Sequence, residues 1–162
     1  MRMEVFYSRM NLLYCMISDD VLYSAEREAR LREWFGMWLA GEDRGIRRIF
    51  ATDALYVESW GPFYKGVSQI EYWFREWNTR GRVVRWNIGR FFHHGSTTVV
   101  EWNFRCEMSD GIVQEFDGVS VVEWNSDERI VSLKEYGCNK NNYYPYADSP
   151  TPRFREDEIL WF

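Results

Sequence analysis

The chain has 162 residues, enough for one domain of ordinary size and little more. With 46% hydrophobic and 28% charged residues it is not a disordered segment, and a net charge of −5 without a basic stripe argues against nucleic acid. Aromatics reach 19%, more than a flat two-layer core readily absorbs, so a lined cavity competes with plain core as their place.

Residues 1–18 read as a lead-in. The apolar run from Met10 to Ile17 is too short to span a membrane, and Ser18-Asp19-Asp20 offers no signal-peptide cleavage site. Asp19 and Asp20 are N-cap candidates for a helix to about Ala40, with Leu31, Trp34, Phe35 and Trp38 at helical spacing and Gly41 ending it. A short second helix from about Asp43 carries Ile46, Ile49 and Phe50 on one face. Ala54 to Trp60 reads as a strand, broken by Gly61-Pro62.

Ser68-Gln69-Ile70-Glu71 matches a capping box and predicts a third helix with Ile70, Trp73, Phe74 and Trp77 on one face, stopped by Gly81. From there on only strands and turns follow: Val83–Phe92, Thr97–Met108, Ile112–Trp124 and Arg129–Tyr136, with Asp110-Gly111 as a hairpin signal. Residues 139–162 form an irregular tail. Helices followed by a long meander imply an α+β fold, a cone-shaped curved antiparallel sheet closed by three N-terminal helices.

Cys15, Cys106 and Cys138 are odd in number and form no CxxC pair, which fits a reducing cytoplasm. The two histidines, His93 and His94, are adjacent and would point to opposite faces of a strand, so no metal is expected. No phosphate-cradling glycine loop or nicotinamide fingerprint occurs, and no cofactor is expected.

Three stretches, in order and spacing, resemble the nuclear transport factor 2-like superfamily. They are Leu39-Ala40-Gly41-Glu42-Asp43 with Ile49-Phe50-Ala51-Thr52-Asp53-Ala54, Tyr64-Lys65-Gly66-Val67-Ser68-Gln69-Ile70, and Phe116-Asp117-Gly118-Val119-Ser120 with Ile130-Val131-Ser132-Leu133. Within it the chain is similar to the SnoaL-like polyketide cyclases and ketosteroid isomerases, over a domain of residues 19–138. The resemblance implies that Glu58, eight residues after Phe50, occupies the isomerases' general-base position. Trp34 and Ser120 fall where those enzymes carry oxyanion donors. The same overlay turns Glu101, Asn103 and Arg105 toward the hollow of the sheet, sets Trp102, Phe104 and Cys106 behind, and turns Leu133 and Glu135 inward.

The expected pocket therefore has Glu58 as general base. Trp34, Trp38, Tyr56, Trp73 and Trp77 form its walls, Trp60 and Tyr64 its mouth, and Phe116 and Ser120 further lining. Three readings stay open. The first is a cofactor-independent isomerase, cyclase or dehydratase acting on a small apolar or aromatic molecule. The second is a module that binds such a molecule unchanged. The third is an interaction domain whose outer sheet face pairs with another protein or with a second copy, as a homodimer, with Trp102, Phe104 and Trp124 as hot spots.

Overall fold

The computed structural model describes residues 23–139 and 144–154. The expected lead-in and the N-caps Asp19 and Asp20 lie outside the described residues. Helix α1 runs over 23–40 and buries Leu31, Trp34, Phe35, Met37 and Trp38 along one stripe. It ends at Gly41, whose φ of +67° is open to glycine at little cost. Asp43 Oδ1 then accepts the N–H groups of Gly45 and Ile46, starting the single turn of α2 (Ile46–Ile49).

Strand β1 (Phe50–Val57) follows without a break, turns at Glu58–Gly61, and pairs with the short β2 (Phe63–Lys65). Helix α3 (Val67–Arg80) starts differently from the predicted capping box. Gly66 is its N-cap at φ +83°, and no side-chain cap forms. Ser68 and Glu71 instead accept hydrogen bonds from Arg47, and Gln69 reaches back to the Lys65 N–H. At its other end Gly81 passes directly into β3 (Gly81–His94). A Cβ there would sit 2.7 Å from the Met108 sulfur and 3.2 Å from the Glu107 carbonyl oxygen, so a larger residue has to displace the Met108 side chain.

Strands β4 (Thr97–Met108), β5 (Val113–Trp124) and β6 (Ile130–Asn139) complete a curved, unclosed sheet in the order β2-β1-β6-β5-β4-β3. The meander β3–β6 is antiparallel, but β1 lies parallel to β6, so the sheet is mixed. Three helices are found among the described residues, yet α3 follows two strands. The expectation of three N-terminal helices on a wholly antiparallel sheet is corrected on both counts. The fold class, α+β, stands.

One face of the sheet packs against the helices. On β4 the residues Thr98, Val100, Trp102, Phe104 and Cys106 are buried on that inner face, while Glu101, Asn103 and Arg105 point to the other side. The overlay had this reversed. An apolar set repeating every second residue takes the buried side, because burying each large side chain contributes roughly 1.5–3 kcal/mol. Trp102, Phe104 and Trp124 are thus core residues, not hot spots of an outer face.

The outer face carries ion pairs instead: Arg90 with Glu101, Arg82 with Glu107, and Arg85 and Arg105 with Glu115. In the tail, residues 144–154 contain no helix or strand and are pinned by a bond from Arg153 N to Pro145 O. Among the described residues no helix is long and apolar enough to cross a membrane.

Candidate functional site

Between the helices and the inner face lies a cavity of about 620 Å³, within the roughly 300–1,000 Å³ usual for small-molecule sites. On α3 the stripe Gln69, Trp73, Glu76, Trp77 and Arg80 repeats at helical spacing and forms one wall. Trp38 of α1 and Trp86, Trp102 and Phe104 of the sheet form the floor. The turns after β1 and β4, with Trp60 and Ile112, edge the mouth. Tyr64 stacks on Trp73 at 4.3 Å and 15°. The indole N–H groups of Trp34, Trp38 and Trp86 have no hydrogen-bond acceptor and lie among rings that meet edge to face.

Among the described residues four carboxyl groups line this aromatic space, and two of them, Glu58 and Glu135, make their side-chain hydrogen bonds to aromatic residues. The alternation of β1, with Ala54 and Tyr56 inward, carries Glu58 to the same side just past the strand's end. Glu135 projects from β6 on the face of Leu133, which lies opposite Tyr56 in the register. Glu58 Oε1 accepts the Tyr64 hydroxyl at 2.5 Å and Oε2 accepts the Trp60 indole N–H at 3.0 Å. The Tyr56 hydroxyl donates to Glu135 Oε1.

Among the described residues neither carboxyl forms an ion pair. Enclosure by protein, with a smaller push from Glu58, lifts Glu135 to about 8, although part of the residue still faces the cavity. Burial also raises Glu58, while the donors Tyr64 and Trp60, and the more distant Arg80, pull it back. Tyr56 is raised by its own burial and by Glu135. Glu135 thus holds its proton at neutral pH, in the same cavity as Glu58.

The sequence pattern of the SnoaL-like domain matches residues 31–133, more than half of the chain. The chain belongs to the SnoaL-like domain family. No curated protein matches its sequence. The fold is that of solved structures at low identity. An LEH-like epoxide hydrolase from M. tuberculosis has a TM-score of 0.62 and 14% identity, over 70% of this chain and 84% of that one. A Catenulispora acidiphila protein with a ketosteroid isomerase-like fold, solved in complex with trimethylamine, has a TM-score of 0.57 and 18% identity over 66% and 83%. A steroid delta-isomerase from Pseudomonas aeruginosa has a TM-score of 0.54 and 20% identity over 72% and 82%.

Of the residues expected at the site of this SnoaL-like domain, Trp38, Tyr56, Glu58, Trp60, Trp73, Trp77, Phe116 and Glu135 line the cavity together. Trp34 does not reach it. It is fully buried against Phe50, Tyr56 and Phe74, near the Tyr56 oxygen but short of hydrogen-bond geometry. Ser120 is buried too and accepts the Trp102 indole N–H at 2.9 Å. Leu133 is wholly core.

Glu101, Asn103 and Arg105 lie across the sheet, where Arg90 grips Glu101, Arg85 donates to Asn103, and Arg105 pairs with Glu115. The reading from sequence missed Trp86, Trp102 and Phe104 as walls and Glu76 and Arg80 as rim. The apolar alternation of β4 and the helical stripe of α3 were the signals for them. No group of three or more His, Cys, Asp or Glu side chains that could hold a metal occurs among the described residues.

Proposed function

We propose that the protein binds a small organic molecule with an apolar or aromatic body in this cavity and moves a proton on it. Glu58 is the general base and Glu135 the general acid of an isomerase-, cyclase- or dehydratase-type reaction. The Glu58 carboxylate takes a proton from a carbon next to a carbonyl as the Glu135 hydroxyl protonates the carbonyl oxygen, giving an enol. Delivery of the Glu58 proton to a different carbon of a conjugated enol, as the Glu135 carboxylate takes back the hydroxyl proton, gives the isomer and restores both groups. The observation that carries this reading is the pair of carboxyl groups in one aromatic cavity, neither in an ion pair among the described residues, one of them raised by burial to about 8.

One observation favours a second reading, ligand binding without chemistry. Both Glu58 oxygens already accept a hydrogen bond, from Tyr64 and Trp60. Deuterium incorporation next to the carbonyl of small cyclic ketones in D₂O, followed by NMR, separates the two. The catalytic reading expects the wild-type protein to accelerate exchange and Glu58→Gln to lower it by about 100-fold or more, with unchanged circular dichroism. Equal exchange in both proteins leaves only the binding reading.

A further inference from the structure

We propose that the ligand of this cavity carries a cationic amine, protonated or quaternary, beside its apolar body. This rests on the cavity being a ligand site, as proposed above, and adds the ligand's charge.

The lining brings four acidic side chains, Glu58, Glu76, Asp110 and Glu135, against one cation, Arg80. That guanidinium is already committed to Glu76, with Nε 2.6 Å from Oε1 and Nη2 2.9 Å from Oε2. No cation among the described lining residues is therefore left to pair with an anion, and the unpartnered indole N–H groups of Trp38 and Trp86 are buried among rings. Trp60 and Tyr64 spend their polar groups on Glu58, so what remains of them for a ligand is aromatic ring, continued by Trp73 stacked on Tyr64. Aromatic faces carry the negative part of the ring quadrupole, which attracts cations and repels anions.

The three ligand charges fare differently here. An anion meets ring faces and the Glu58 carboxylate, of its own sign, while Glu76 is already neutralised by Arg80. A neutral apolar molecule gains from burial, but it dries the Glu58 carboxylate without compensating for the lost water. A cation gains the same burial, takes the place of water beside Glu58, and has the rings around it. Burial and charge together select an organic ammonium group.

The test compares choline, its neutral isostere 3,3-dimethylbutan-1-ol and the anionic 3,3-dimethylbutanoate at one ionic strength, read by tryptophan fluorescence and thermal shift. Choline is expected to bind about tenfold or more tighter than the alcohol, and the anion weakest. In Glu58→Gln the gap between choline and the alcohol is expected to narrow. Equal binding of choline and alcohol to the wild-type protein overturns the inference and leaves the cavity as a neutral-ligand site. Absence of binding by all three overturns it as well, while deuterium exchange on ketones judges the proton-transfer reading separately. A gap that persists in Glu58→Gln removes Glu58 as its source.

Discussion

The two faces of one sheet treat the same side chain in opposite ways. On the outer face Glu101 and Glu107 each meet an arginine, from Arg90 and Arg82, and are held below the usual carboxylate range. On the inner side Glu58 and Glu135 meet aromatic rings and hydroxyls, and both are raised. Outer carboxylates stay charged in contact with water and contribute little to stability. Inner ones are costly to charge, because burial strips water from the charged form.

The largest expected effect concerns Glu135. Its pKa of about 8 in the fold, against roughly 4.3 in an unfolded chain, means that the folded state holds the extra proton between these values. Stability should therefore be highest below pH 4 as far as this group is concerned, and fall as pH rises toward 9, by a few kcal/mol. Urea unfolding of wild type and Glu135→Gln from pH 5 to 9 checks this. The variant should lose most of the slope, and parallel curves would place Glu135 in water like its outer counterparts.

Next in size is Gly118, which lies opposite Trp102 on the neighbouring strand. A Cβ there would come 2.3 Å from the Trp102 ring, so Gly118→Ala must push a cavity wall aside. About 2 kcal/mol of lost stability is expected, with altered tryptophan fluorescence. A neutral substitution would mean that the inner wall is loosely packed.

The smallest effect belongs to the outer face. Arg90→Ala breaks an exposed pair with Glu101 and should leave the thermal unfolding midpoint almost unchanged. A clear drop in the midpoint would show that this face, too, depends on its charges, and the contrast between the faces would weaken.

Much of the fold was legible because it is written locally. Thr97–Met108 is a strand over the predicted residues, Gly41 ends the first helix, and Asp110-Gly111 turns the hairpin with Gly111 at φ +89°. The capping box at Ser68 was not built, because Gly66 already turns the chain and Arg47 takes both Ser68 and Glu71. The parallel pairing of β1 with β6 was not legible, since it joins segments that no short pattern connects.

At the site, Glu58 and Glu135 were found from the family resemblance, and both line the cavity. The same resemblance put β4 the wrong way round, although the apolar set Val100, Trp102, Phe104 and Cys106 stood against the polar set Glu101, Asn103 and Arg105 in the sequence itself. For that strand, alternation was the better guide, because removing apolar area from water outweighs a register carried over from distant relatives.

Residue order alone determined the helices and the strands of the meander to within a few residues at their ends, and left open whether rings so numerous fill a core or line a cavity. Such elements depend on backbone preference and spacing over a few neighbours. Which carboxyl groups lose their water, and which gain an arginine, was decided only by the folded arrangement. Tyr56 and Glu135 meet across 79 positions of sequence, and the field at a side chain is set by whatever the fold brings beside it.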